Sequence, residues 1–330
     1  MGNILIYKVE KYKPEYFRIF SGVYEDFRSK AKQNYNFELE PLNYDDFIKS
    51  VNDELIHCLI LLEDDIPTGF LVYTTMISEG IELNIIHCLG GEDVNKKRKL
   101  LIEKFIELNK PMMSEKVVIY PMLGVQNEFS SDIKAYGFET VPTKVVEIDL
   151  RDMFMLDDIR NFELDALPEG YAVIDWSSRM FSKAVDIVHT SFKYSSDALF
   201  DTRFNSFKGT RDIIKKITNN IYGTFLPSAT KALIYRGNPV GFCFANLTNE
   251  TIANIPLVAI EKRHRGKGLS KYLLRSVLSD IVRMKENNIH PLESINASVD
   301  ASYDEAVKMY ENAGFEEKYS YSQAYHPVLN

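Results

Sequence analysis

One stretch of the chain, residues 251–284, combines residue types that suit the holding of an anion: TIANIPLVAIEKRHRGKGLSKYLLRSVLSDIVRM. Residues 255–260 are apolar with β-branched members and read as a buried strand. A basic turn follows, made of Glu261, Lys262, Arg263, His264, Arg265, Gly266, Lys267 and Gly268. Leu269, Leu273, Leu274, Val277, Leu278 and Ile281 then recur at helical spacing, with Ser270, Lys271 and Arg275 off that face. Strand, glycine turn and helix together make an anion site. The glycines let the backbone approach a ligand closely, and the first-turn N–H groups of the helix have no partner of their own. Arg263, Arg265 and Lys267 add positive charge, so a phosphate-bearing ligand is the natural guest. A Gly-x-Gly turn also serves as a plain connection, and the loop alone admits both readings. A dinucleotide fingerprint is excluded because position 271 is Lys, and a Walker loop because Leu269 follows Gly268.

Further on, residues 292–299 (LESINASV) read as a strand, followed by DASYDEAVKMYENAGFEEKY. Ala306, Val307, Met309 and Tyr310 have helical spacing, and Gly314 stands where a helix stops. The pattern Arg263-x-x-Gly266-x-Gly268 after an apolar strand resembles the acetyl-CoA pyrophosphate loop of the GNAT acetyltransferase superfamily. Ala306-x-x-x-Tyr310-x-x-x-Gly314-Phe315 is similar to that family's later helix, which carries a tyrosine close to the thioester sulfur. The resemblance covers about the last half of the chain, and the two motifs in this order are more specific than either alone.

The resemblance implies an α/β (α+β) fold of two tandem GNAT-like domains, each a mixed, mostly antiparallel twisted sheet flanked by helices. It implies an N-acetyltransferase that moves an acetyl group from acetyl-CoA to a primary amine by direct attack. Residues Arg265, Gly266, Lys267, Gly268, Leu269 and Ser270 would hold the pyrophosphate, with Arg263 at the loop's start and Lys271 and Arg275 as further cations. Leu257, Val258, Ala259 and Ile260 would run along the pantetheine arm, and a backbone N–H there would polarise the thioester carbonyl. Tyr310 would protonate the leaving thiolate, a phenol (pKa about 10) being a better match to a thiolate than a carboxylic acid is. Taken alone, Tyr310 also reads as a core aromatic beside Met309 and Phe315. The base is open among Asp300, Glu250, Asp197, Asp201 and His189, and His264 is expected to face solvent or phosphate. Tyr303 departs from the family, where an Asn is common and helps hold pantetheine; Asp300 or Ser302 would substitute.

Composition bounds these readings. The chain has 330 residues, which favours two domains. Its net charge of −8 argues against a general nucleic-acid binder. The run Lys96-Lys97-Arg98-Lys99 has no interleaved aromatics and reads as a solvated helix start. Cys58, Cys88 and Cys243 are odd in number and without Cys-x-x-Cys spacing, so neither a disulfide framework nor a zinc site is indicated. No run is long enough to span a bilayer, and the N-terminus lacks a secretory pattern, so a cytoplasmic protein with no membrane partner is expected. The oligomeric state is not legible.

The elements that must position the motifs occur twice. Pro67-Thr68-Gly69-Phe70 matches Pro239-Val240-Gly241-Phe242 (239 − 67 = 172), and Tyr136-Gly137-Phe138 matches Ala313-Gly314-Phe315 (314 − 137 = 177). In the first half, strands are expected at 4–9, 55–62, 69–76, 81–89, 117–122 and 143–150, with helices at 14–32, 43–51, 99–108 and 128–136. In the second, strands are expected at 171–175, 232–235 and 240–247 and helices at 179–192 and 210–219, before the motif region. Residues 1–150 form the first domain, 151–170 a linker that packs on a domain, and 171–330 the second. At the first offset the loop falls on Gly91, Glu92, Asp93, Val94, Asn95 and Lys96, and at the second Tyr310 falls on Ile133. The first copy therefore lacks loop and phenol together and reads as a structural or substrate-shaping half. The acceptor, a small molecule or peptide amine, is expected near residues 192–205. A non-catalytic CoA-binding or sensing module, or an acyltransferase with an aminoacyl or amino-sugar acceptor, are the alternative readings.

Overall fold

The computed structural model describes residues 5–34, 41–75, 80–91, 93–161 and 167–328. The chain divides into two compact units, one of Met1–Pro142 with Tyr321–Asn330 and one of Thr143–Ser320. Each is a mixed, mostly antiparallel sheet flanked by helices.

In the first unit the order is β1 (Tyr7–Lys11), α1 (Phe17–Asn34), α2 (Tyr44–Asn52), β2 (His57–Glu63), β3 (Ile66–Thr74), β4 (Gly80–Cys88), α3 (Val94–Met113), β5 (Val117–Met122) and the start of β6 (Glu139–Asp149). In the second it is the rest of β6, α4 (Met153–Asn161), β7 (Tyr171–Asp175), α5 (Phe181–Phe192), α6 (Asp197–Phe200), α7 (Phe207–Thr218), β8 (Thr224–Phe225), β9 (Lys231–Tyr235), β10 (Asn238–Leu247), β11 (Ile252–Ile260), α8 (Leu269–Glu286), β12 (Ser294–Asp300), α9 (Asp304–Glu311) and the start of β13 (Glu316–His326). Within the first unit, Ser322 to His326 of β13 pair antiparallel with β5. Within the second, Thr143 to Asp149 of β6 pair antiparallel with β12.

The repeat extends to individual residue pairs. Moved by 172 positions, β4 becomes residues 252–260, the full extent of β11; moved by 177, β6 becomes residues 316–326, the full extent of β13. Gly69 faces Cys88 as Gly241 faces Ile260. Both hairpin partners are interrupted at the same place, by one extra residue on β4 between Leu83 and Ile85 and on β11 between Asn254 and Leu257. Pro256 sits in that second bulge, where a missing N–H breaks no ladder bond.

Alternation along the central strands builds a core on each sheet face. Phe242 and Phe244 pack with Val185, Val188 and Ile214 of α5 and α7, while Cys243 and Ala245 pack with Leu273, Leu274 and Val277 of α8. In the first unit Phe70 and Val72 face Phe20, Phe27 and Phe47, and Leu71 and Tyr73 face Leu101 and Phe105. Each fully buried large apolar side chain contributes about 1.5–3 kcal/mol.

Several expectations are refined. The helix expected at 128–136 is two short 3-10 turns ended by Gly137. The segment 151–170 carries α4 and lies inside the second unit; its residues 162–166, like Ile4, Met76 and Glu92, fall outside the described residues. The basic run lies in the first turns of α3 with Lys96 and Lys99 exposed as expected, but Lys97 departs from that reading. Lys97 is buried against Glu63 at 2.7 Å, because its four-carbon stem crosses the sheet surface before the ammonium meets a carboxylate.

Close backbone packing sets one prediction. A Cβ built at Gly209, near the start of α7, lies 2.4 Å from the Arg203 carbonyl oxygen. Gly209→Ala is expected to displace the Arg203 turn and destabilise the fold by about 1–3 kcal/mol, read by urea denaturation.

Candidate functional site

The site is built from the way β11 leaves its neighbour. β11 pairs in parallel with β12 only from Ile252 opposite Ser294 to Asn254 opposite Asn296. Beyond the bulge β11 stays with β10 while β12 stays with β6, so the two central strands part. Ladder alternation then decides which groups face the opening. The N–H of Glu261 bonds the carbonyl of Val240, so Ala259 and Leu257 turn their backbone groups toward β10. Val258 and Ile260 turn theirs into the opening. Of the four residues expected along the donor arm, Val258 and Ile260 thus present backbone groups, whereas Leu257 and Ala259 are committed to the sheet.

The loop continues from that edge. Gly266 and Gly268 have φ of 72° and 69°, and a Cβ at either would meet nothing within 4 Å. A side chain would be strained by the backbone there rather than by neighbours. Elsewhere the chain caps its helices, with Asn43 accepting from Asp46 N–H and Ser206 from Gly209 N–H. At α8 the capping position is Gly268, with no side-chain cap. Among the described residues, the N–H groups of residues 266–270 have no acceptor. Five donors and a helix dipole therefore converge on one concave turn.

Side chains brace the loop from behind. Arg265 Nε donates to the Ile260 carbonyl at 2.7 Å. Lys267 Nζ donates to Tyr171 Oη at 3.2 Å, and that hydroxyl donates to His264 Nδ1 at 2.7 Å. With Lys267 donating to the hydroxyl, we assign Tyr171 as donor to Nδ1 and Nε2 as the protonated ring nitrogen. The His264 ring packs against the Tyr171–Tyr235 pair, with centroids 5.7 Å and 5.1 Å away. Burial, then Arg263, holds its pKa below the usual value. The expectation that His264 faces solvent or phosphate is thus corrected: it is buried, as a support. Arg263 is exposed and paired with Glu261, whose charge is kept, against its burial, by Lys183 and Arg263. Arg275 is buried and bonds Asp158 at 3.0 Å, so it does not reach the loop as a phosphate ligand.

Tyr310 is buried in the core that also holds Cys243, Val258, Ala313 and Phe315. Cys243, in the same core, is the register partner of Val258, which lies past the point where β11 leaves β12. Burial raises its pKa well above the ordinary phenol value, with Cys243 and Asp197 adding to the rise. Asp197 is accessible yet walled by protein. Desolvation raises its carboxyl, as do Asp300 and Asp201, while the Ser195 hydroxyl opposes this. The other base candidates are committed elsewhere or lie apart. Asp201 is clasped by Arg203 through two nitrogens, at 2.9 and 2.7 Å. His189 Nδ1 contacts the Phe204 carbonyl at 3.0 Å, Asp300 accepts from Ser302, and Glu250 lies exposed in the β10–β11 turn. Tyr303 is half-exposed, its phenol raised by burial and Glu305 and lowered by Arg265.

Residues 229–317 match the family model of the acetyltransferase (GNAT) domain. This stretch is a GNAT acetyltransferase domain. Over nearly its whole length the chain shares the fold of a GCN5-related N-acetyltransferase from Sphaerobacter thermophilus, with a TM-score of 0.61 at 14% identity over 98% of this chain and 97% of that one. It also shares the fold of a tandem GNAT protein from the clavulanic acid biosynthesis pathway, with a TM-score of 0.52 at 12% identity over 99% of both chains. A fungal multi-domain β-N-acetylglucosaminidase with a glucosamine N-acetyltransferase region is similar at 0.59 and 10% identity, over 98% of this chain and 38% of that one. No curated protein matches the sequence. Outside the GNAT domain's matched residues, Tyr171 escaped sequence reading because it meets His264 across 93 positions and no local pattern marks it.

The buried His264 sets a pH prediction. Its folded pKa lies below the ordinary value of about 6.5, so the unfolded chain takes the proton first. Its contribution to stability is present above about pH 6.5 and is lost as pH falls. His264→Gln is expected to flatten the wild-type decline below that pH, measured by denaturation midpoints across a pH series.

Proposed function

We propose that the second unit binds acetyl-CoA and acetylates a primary amine. The observation that carries this reading is the coincidence of five unpaired loop donors with a parted strand edge and a phenol in the core that also holds Val258. The diphosphate sits on the amides of residues 266–270, and Arg265 and Lys267, which brace the loop, add positive charge nearby. The pantetheine amides extend β11 along the outward groups of Val258 and the N–H of Ile260, whose carbonyl already accepts from Arg265. The Val258 N–H then donates to the thioester oxygen, where negative charge grows during attack.

Asp197 takes the proton of the incoming ammonium; its raised carboxyl makes it a stronger base than an ordinary aspartate. The amine nitrogen bonds to the carbonyl carbon and gives its second proton to solvent, the carbon–sulfur bond breaks, and sulfur leaves with the electron pair. Tyr310 Oη supplies the proton to that thiolate. Its raised pKa keeps the phenol protonated throughout the working range, so it is always charged with a proton to give. Acid and base are then restored through solvent. Asp197, Asp201 and Asp300 on the acceptor side favour a cationic amine over an anionic one.

Acetyl-CoA is expected to raise the unfolding midpoint of the wild-type chain, and Gly266→Glu or Gly268→Glu to abolish that rise. Tyr310→Phe is expected to lower kcat about 100-fold or more while leaving that rise intact, followed by thiol release against an amine panel. The rate should climb with pH and show no fall below about pH 10, since Tyr310 titrates above its ordinary value. A full rate in Tyr310→Phe would favour the non-catalytic donor-binding reading.

A further inference from the structure

The first unit contains a cavity of about 420 Å³ at the place that corresponds, by the 172-position offset, to the donor cleft of the second. It is lined by Ile86, His87 and Cys88 at the end of β4, by Gly90 and Gly91, and by Arg98, Gln126 and Lys30. Its shape differs from a donor cleft for two reasons. The N–H of Ile86, equivalent to that of Val258, donates to Gln126 Oε1 at 2.9 Å, so a side-chain amide occupies the strand edge. In addition, α3 begins at Val94, so the positions equivalent to Gly266, Lys267 and Gly268 are already helical. Asp93 stands at that helix start, held by the Tyr7 hydroxyl at 2.7 Å, and sets a carboxylate where a diphosphate would lie. A long diphosphate-bearing donor is thereby kept out, while the cavity remains.

Two of the groups facing the cavity, on Gln126 and Arg98, are donors without acceptors among the described residues, while Lys30 is paired with Asp26 at 2.8 Å. Gln126 Oε1 accepts from both the Ile86 N–H and the Tyr120 hydroxyl. Those two bonds fix the amide orientation and turn Nε2 away from them, and among the described residues Nε2 has no acceptor. Arg98 has no carboxylate partner among the described residues, and its Nε is buried without any bond. One side of its guanidinium is covered by the Phe129 ring at 5.1 Å. His87 is occupied by Asp26 at 2.8 Å, and burial holds its pKa at about 4, so it is neutral near pH 7. Among the described lining residues Glu128 is the one carboxylate, and it is exposed. A partly buried guanidinium whose Nε is enclosed without a partner costs free energy unless an acceptor joins it.

We propose that this cavity is a second ligand site, which takes a small molecule bearing a carboxylate or phosphate group on Arg98 and Gln126. Its size suits a compact metabolite rather than a nucleotide-linked cofactor. The site is independent of the donor-loop reading above.

The test uses the full chain, with succinate and inorganic phosphate as probes, each titrated calorimetrically and followed by unfolding midpoint. One or both probes should bind the wild type and raise the midpoint. Arg98→Gln should weaken that binding about tenfold or more. Gly90→Phe, where a Cβ meets open space, should block the cavity with Arg98 intact. Gly268→Glu should leave probe binding unchanged, which separates this site from the donor loop. Failure of both probes to bind the wild type, wild-type binding in both cavity variants, or loss of binding in Gly268→Glu would each overturn the proposal. An acetyl-CoA response retained in Arg98→Gln shows that the variant is folded; if it is absent in the wild type as well, the donor reading alone fails.

Discussion

The second unit depends on a pairing that stops. Parallel strands hold together through evenly spaced backbone bonds, and β11 and β12 make these only over their first three residues. The bulge at Pro256 turns β11 away while β10 keeps its remaining ladder. Unsatisfied backbone groups inside a protein are costly, so an edge left open in this way calls for a ligand or water to complete it. The uncapped start of α8 extends the same deficit by a further turn. Helix, loop and strand edge thus present one continuous line of donors and acceptors, made almost wholly of main chain.

Main-chain recognition needs the line held still, and the surrounding side chains do that. Tyr171, Tyr235 and His264 pack edge-on and tilted against one another beside the loop, and Arg265 ties it to the last carbonyl of β11. In the first unit the same framework has been closed from inside. Gln126 supplies the missing acceptor to Ile86, and an extra turn of α3 replaces the loop. One sheet geometry therefore supports an open edge or a filled one, depending on a few residues that contact it.

The local parts of this arrangement were readable from the residues. Residues 117–122 and 171–175 are strands as expected, Asn43 caps its helix, and Gly137 and Gly314 have the left-handed backbone of helix ends. The doubled unit was readable from two short matches, because turn glycines and their neighbours keep fixed spacing when the strands between them do. Other features needed tertiary context. β8 and α6 are too short for periodicity to show, and α4 lies in a segment whose acids mask its apolar face. β13 was passed over, although its alternating Tyr319 and Tyr321 and the 177-position offset from β6 both carried the signal. The proposal of Asp197 among five candidate bases rests on burial and neighbours, which no spacing encodes.

The strands β6 and β13 carry a consequence for how this chain can be divided. Thr143 to Asp149 lie in the second unit though they precede its helices, and the chain's last strand from Tyr321 onward lies in the first. A backbone cut between Leu150 and Tyr171 would leave each fragment holding a strand that the other fragment's sheet needs. Such fragments would co-purify as a nicked whole, and neither sequence half, expressed alone, would be a complete folding unit.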